Sequence, residues 1–242
     1  MPAFHPETRA KRFKNSIVIM ATQTKSRPGA GKTKATAEGI TDAYVKYLLT
    51  EGHPPASIFA FADMNGMAES DFYKFYSSFE ALEEALWTGM MLKTLMSVRA
   101  DDNYAGFSAR EKLLSFYYIH LEVLKERRSF VSMQWPKFKM QVRTPKQLEG
   151  YKAAFIQYAK DIVVEGIEKE EIKERKYISE RYDKAFWLQL TFVVNFWTSD
   201  KSKDFEQSDA AVEKAVNLSF QLLGDSTLDS VVDFAKFLWQ SK

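Results

Sequence analysis

Residues 57–76 read Ser-Ile-Phe-Ala-Phe-Ala-Asp-Met-Asn-Gly-Met-Ala-Glu-Ser-Asp-Phe-Tyr-Lys-Phe-Tyr, and this stretch decides the fold. Ser57 is placed to cap a short helix over 58–64, because its hydroxyl can accept from an otherwise orphaned first-turn amide. Asn65–Gly66 reads as a left-handed stop. A second short helix follows over about 68–76. Ile58, Phe61 and Ala62 turn one face of the first inward, and Met67, Phe72 and Tyr76 anchor the second. Two short helices joined by a Gly turn are the pattern of a helix-turn-helix, whose second helix enters a major groove while the first crosses the backbone.

Outward from this stretch the pattern stays helical. Upstream, Ile40, Ala43, Tyr44, Tyr47 and Leu48 share a face at 3–4 spacing, so a helix is predicted over about 35–51, stopped by Gly52 and Pro54–Pro55. Downstream, Ser77-Ser78-Phe79-Glu80 reads as a capping box with Ser77 as the cap, opening a helix to about Val98. Ser108 with Glu111 predicts a helix to about Arg128. Thr144, Pro145 and Gln147 predict one from Thr144 to about Glu174. Long helices are expected over about 178–198 and 206–223, and a last one over 227–240. No strand alternation competes with them after residue 22, so the fold class is all-α.

Composition agrees. An apolar share of 45% suffices for a real core, and ten Gly and seven Pro in 242 residues are sparse punctuation, which favours long helices. The absence of cysteine excludes disulfides and thiolate metal sites. The apolar segment Ser16–Ala21 follows the basic stretch Lys11–Lys14 but is too short for a signal peptide, and no run is long enough to span a bilayer; a cytoplasmic location is expected. The net charge of +2 is unevenly spread: residues 1–34 carry eight Lys/Arg against Glu7, or +7, leaving −5 on the rest. A basic arm on an acidic body suits contact with phosphate, or serves only as a solubilising leader. Met20 opens a stretch that reads as a natural protein start, which leaves the origin of residues 1–19 open.

Over about fifty residues the chain resembles the head of the TetR family. Ile40, Ala43 and Gly52 match its first helix, Ser57–Ile58 and Phe61–Ala62 the second, and Gly66–Met67 the turn. Phe72–Tyr73 with Tyr76 match the third, and Ser78, Glu80 and Leu82 the start of the fourth. The resemblance implies a basic arm (1–34), a helix-turn-helix head (35–86) and a ligand-binding and dimerisation body (87–242). It also implies a homodimer formed through about 178–198 and 206–223, whose heads read duplex DNA. Trp187–Asp200 and Phe205–Leu223 look like the dimerising pair, and apolar residues on more than one face of 186–197 suit a helix covered on two sides. On this reading Ser70, Tyr73 and Lys74 face DNA and Ser57 lies near phosphate. An apolar small-molecule effector is expected in the aromatic-rich body, with Trp135, Phe155 and Trp187 as pocket candidates.

The chain departs from the family pattern in its charge. The recognition segment offers Ala68, Glu69, Ser70, Asp71 and Lys74, a net −1. The usual turn serine is Ala68, and the lysine that usually precedes Glu80 is Phe79. A carboxylate can read a cytosine amino group, but it forfeits phosphate attraction. The alternative is therefore a TetR-fold protein that binds a lipid or isoprenoid and has lost DNA binding, as the lipid-binding protein of ubiquinone biosynthesis shows is possible for this architecture. The stripe Leu228, Val231, Val232, Ala235, Leu238 and Trp239 suits that reading, although a helix packed on its own domain explains it as well.

Other constellations imply less. Gly29-Ala-Gly-Lys-Thr33 resembles part of a phosphate loop, but Ser26 stands where the first Gly belongs, so it reads as linker. His5, His53 and His120 are scattered, no nucleophile–base pair stands out, and neither an enzyme, a metal nor a cofactor is expected.

Overall fold

The computed structural model describes residues 35–139, 144–173 and 182–224. The basic arm, the Gly29–Thr33 segment and the helix expected over 227–240 lie outside the described residues. Among the described residues there are α-helices and short 3-10 turns but no strand. In chain order the helices are α1 (Ala37–Glu51), α2 (Ile58–Met64), α3 (Glu69–Tyr73), α4 (Phe79–Arg99), α5 (Ala109–Lys125), α6 (Arg128–Lys139), α7 (Glu149–Glu168), α8 (Tyr182–Ser199) and α9 (Glu206–Gly224).

Local chemistry sets most of these ends. Thr36 accepts from the Gly39 amide (3.0 Å) and Ser57 from Ala60 (3.1 Å), capping α1 and α2. Ser108 and Glu111 form a full capping box on α5. Two expected starts are corrected. Ser78, not Ser77, caps α4, accepting from Ala81 at 3.1 Å. Thr144 opens no α-helix: its hydroxyl accepts from Lys152 Nζ (3.0 Å), a 3-10 turn spans Lys146–Leu148, and α7 begins at Glu149. That helix also stops at Glu168, six residues early, where Glu170 turns left-handed (φ 59°) and Ile172 folds back onto Gly166. The second short helix is five residues long rather than nine.

The helix predicted from Ser108 to about Arg128 is α5, and a further helix that the sequence reading did not expect, α6, follows it. α5 ends at Lys125 and α6 restarts at Arg128 with Pro136 inside it. No Gly or Pro marks the break, which tertiary contacts hold. Arg127 pairs with Asp42 on α1. Arg128 stacks on Trp197 and Phe205 (4.4 and 4.2 Å to the ring centroids) and donates to the Trp197 and Asp200 carbonyls, both at 3.1 Å.

α4 is the central element. It buries Leu82, Leu86, Trp87, Met90, Met91, Thr94, Leu95 and Val98, and packs on α5 and α7. α7 approaches closely because Gly150 faces Thr88: a Cβ there would lie 2.4 Å from the Thr88 hydroxyl. α8 and α9 pair with each other and lie against α7 and α5 respectively. α4 runs unbroken through residues 86 and 87, so head and body share one rigid rod.

Candidate DNA-binding head and ligand core

Aromatic contacts position the helix-turn-helix. Phe61 of α2 and Phe72 of α3 are fully buried, with ring centroids 6.1 Å apart. Phe79 lies within 5.6 Å of both, and stacks on Tyr44 of α1 at 5.1 Å. The residue that departs from the expected lysine is thus a ring shared by the first three helices of the head. Gly66 makes the turn at φ 64°, a left-handed conformation costly for a side chain with a Cβ. Three further bonds tie the head together: Tyr76 reaches the Thr41 hydroxyl (3.0 Å) and the Ala37 carbonyl (3.3 Å), and Tyr44 donates to Glu83 on α4 at 2.7 Å.

The predicted contact residues are all exposed. Ser70 and Lys74 face solvent on and just after α3, and Tyr73 is 52% exposed. Ser57 spends its oxygen lone pair on the Ala60 amide, leaving its hydroxyl proton for an outside acceptor. Lys74, however, is engaged: its ammonium lies 2.6 Å from Asp71 Oδ1, in a solvent-exposed i,i+3 pair that holds the Asp71 carboxyl below its usual range. Tyr73 leans toward Glu69 at 3.4 Å. The acidic residues thus act on the same side chains expected to meet DNA.

The pocket candidates separate. Trp135 and Trp187 flank Tyr151, each at 6.2 Å between ring centroids, while Phe155 lies one turn further along α7, buried against Phe116 at 5.1 Å. Trp87, absent from the sequence-based candidates, closes the cluster, with Phe130, Trp135, Phe138 and Tyr151 all within 5.9 Å.

A polar relay crosses this apolar centre. Thr94 donates to the Met90 carbonyl at 2.9 Å, so toward His120 Nδ1 (2.9 Å) it can only accept. The proton therefore sits on Nδ1, and Nε2 accepts from the Tyr151 hydroxyl at 2.5 Å. Burial lowers the His120 pKa to about 3 and raises those of Tyr117 and Tyr151, so all three are neutral near neutral pH. The sequence signal for His120 was its place in the stripe Leu113, Phe116, Tyr117, His120, Leu124; the partners on α4 and α7 carried none. Beside the relay, the Trp87 indole N–H and the Tyr117 hydroxyl are buried without a hydrogen-bond partner among the described residues. The buried Lys112 is taken by Glu165.

On α8 and α9 the inward faces are buried, but Leu188 (70%), Phe192 (50%), Leu218 (56%) and Leu222 (43%) remain exposed. The pairs 188/192 and 218/222 have i,i+4 spacing, so each helix shows an apolar stripe besides its core face. Among the described residues no helix is long and apolar enough to cross a membrane.

Comparison with known proteins places this architecture. The family model described as the tetracyclin repressor-like C-terminal domain matches residues 112–238, more than half of the chain. The fatty acid degradation regulator FadR from Bacillus halodurans superposes with a TM-score of 0.59 at 20% identity, covering 76% of this chain and 98% of its own. A protein from Shewanella sp. PV-4 described as of the tetR family of transcription regulators gives 0.57 at 13%, over 77% and 97%. A protein of unknown function from Rhodococcus sp. RHA1 gives 0.57 at 13%, over 81% and 100%. No curated protein matches the sequence.

Proposed function

The chain belongs to the TetR family of transcription regulators, and we propose that it is a homodimeric DNA-binding regulator whose operator affinity is set by a small molecule held in the body. The observation that carries this reading is the outward presentation of Ser57, Ser70, Tyr73 and Lys74 on a helix-turn-helix clamped by Phe61, Phe72 and Phe79. The working units are the arm 1–34, the head 35–86 and the body 87–242. The exposed stripes of α8 and α9 supply the face for a second copy.

The mechanism is a population shift. Two heads held by one dimer fit successive major grooves only at the right spacing. Because α4 is continuous from head to body, a ligand that moves its body half against α5 and α7 moves the head as well. The effector is an apolar molecule near Trp135, Trp187 and Phe155, carrying neutral hydrogen-bonding groups. Trp87 and Tyr117 offer it unpaired polar atoms, whereas Lys112, the buried cation nearby, is already spent on Glu165.

Fluorescence-anisotropy titration of duplex DNA from the protein's own upstream region tests the proposal, at two salt concentrations and beside a scrambled duplex. Preference for the native duplex that weakens steeply with salt is the expected result. One observation favours a second reading: Lys74, the only cation at the tip of α3 among the described residues, is held by Asp71. Absence of binding to either duplex, together with a co-purifying lipid or isoprenoid, would establish a TetR-fold binding protein that has lost DNA recognition.

A further inference from the structure

A cleft of about 390 Å3 opens where α1, Tyr76, α4 and the end of α5 meet, and none of the aromatic-core side chains Trp87, Trp135 or Tyr151 lines it. Its volume falls within the range of small-molecule sites. One wall comes from the head, through Glu38 and Thr41 of α1; the opposite wall comes from α4 and α5. Ala85 and Gly89, one turn apart on α4, leave the trough open, and a Cβ at Gly89 would meet nothing within 4 Å. Leu86, Met90 and Val123 give it an apolar floor.

Charge selects the occupant. Lys93 at the rim is held by both carboxylate oxygens of Glu126, at 2.7 and 2.6 Å, and Arg127 is held by Asp42. Glu38 has no ion-pair partner among the described residues. Among the described residues the rim therefore presents one carboxylate without an ion-pair partner, above a floor of Leu86, Met90 and Val123. We propose that this head–body cleft is a second small-molecule site, distinct from the aromatic core, which takes a compact organic cation: an ammonium head at Glu38 and an apolar body against Gly89, Met90 and Val123. Because its walls belong to different parts of the molecule, the bound cation stabilises one pose of α1 against α4. Any linkage to ligands elsewhere is reciprocal. Binding here does not require that the head read DNA, so the two proposals fail separately.

The test follows the Met90 methyl by methionine-methyl NMR of the full chain, assigned with Met90→Leu, during titration with 4-phenylbutylamine. The matched alcohol 4-phenylbutanol and acid 4-phenylbutyrate serve as neutral and anionic probes. The expected result is a saturable Met90 shift with the amine, about two- to fivefold weaker affinity for the alcohol, as the loss of one exposed ion pair would give, and no saturation with the acid. Glu38→Gln should bring the amine to the affinity of the alcohol. Gly89→Met, which fills the trough and suits a helix better than Gly, should abolish the saturable shift. No saturation with the amine up to millimolar concentration, equal affinity for all three probes, or unchanged binding in both variants overturns the proposal.

Discussion

The Tyr44 hydroxyl of α1 donates a 2.7 Å hydrogen bond to Glu83 of α4 inside the core, joining the first helix of the head to the helix that continues into the body. Tyr44 is fully buried and Glu83 only 9% exposed, so neither can turn to water when the other is lost. Tyr44→Phe keeps the ring contacts and strands the Glu83 carboxylate. It should lower unfolding free energy by about 1–3 kcal/mol, measured by urea denaturation, and Tyr44→Phe/Glu83→Leu should recover part of that loss. Equal stability of Tyr44→Phe and wild type would show that the bond contributes little.

Phe79 gives a sharper test of how the head is built. Its ring touches Tyr44, Phe61 and Phe72 together. Phe79→Ala should cost roughly 2–3 kcal/mol, below the loss for a fully buried Phe because Phe79 keeps some exposure. Phe79→Lys, which restores the residue usual in the family, should also destabilise, since an aliphatic stem replaces none of the three ring-to-ring contacts. A stable Phe79→Lys protein, judged by thermal melting, would refute the role of those contacts.

His120 predicts a specific pH dependence. The folded protein keeps its imidazole neutral down to about pH 3, whereas the unfolded chain protonates it near the ordinary value of 6.5. Between these values the unfolded state binds the extra proton, so stability falls as pH falls, by up to about 1.4 kcal/mol per pH unit. Denaturation at pH 7.5, 6.5 and 5.5 should show this slope, and His120→Gln should flatten it at pH values above the carboxylate range. An identical slope in the variant would mean that His120 is not held neutral.

The pairing of Lys74 with Asp71 makes two substitutions act in opposite directions on DNA affinity. Lys74→Ala should weaken binding to every duplex and reduce the salt slope by about one phosphate contact. Asp71→Asn frees the ammonium and removes a repulsive charge, so it should tighten binding at low salt and steepen the slope. Anisotropy at several salt concentrations reads both, and identical slopes for both variants would place Lys74 away from the phosphates.

The stripes on α8 and α9 set the expectation for assembly. Leu188→Glu/Phe192→Glu places two carboxylates on side chains that are already 70% and 50% exposed, so the subunit should stay folded. Light scattering should then report a dimer for the wild type and a monomer for the double variant, with circular dichroism unchanged. A dimeric double variant would locate the interface elsewhere.

Much of this architecture was legible in the residues. Helix starts that depend on a hydroxyl serving an amide three residues on, as at Ser57 and Ser108, need only local chain and were read correctly. So was the left-handed turn at Gly66. Ser77 and Ser78 are both competent caps, and the choice between them falls to where Phe79 must point to reach Tyr44 and Phe61. The end of α5 was placed to within three residues, but α6 was missed; Asp42, Trp197 and the Asp200 carbonyl, all remote in sequence, hold the two arginines between these helices.

The candidate sites divide in the same way. The outward placement of Ser70, Tyr73 and Lys74 was implied by the family resemblance, but the Asp71 bond that occupies Lys74 depends on how a five-residue helix is oriented at its end. Trp135 and Trp187 could be singled out as aromatics, yet nothing in their spacing placed Tyr151 between them or added Trp87. The sequence by itself determined the all-α class, the caps at Ser57 and Ser108, the turn at Gly66 and the charge of the recognition segment, because each depends on neighbours within about four residues. Only the tertiary structure decided that His120 is neutral, that Phe79 is a core ring, and that a cleft opens beside Gly89. Those properties arise where α1, α4, α5 and α7 converge, and burial and partnership there are set by side chains far apart along the chain.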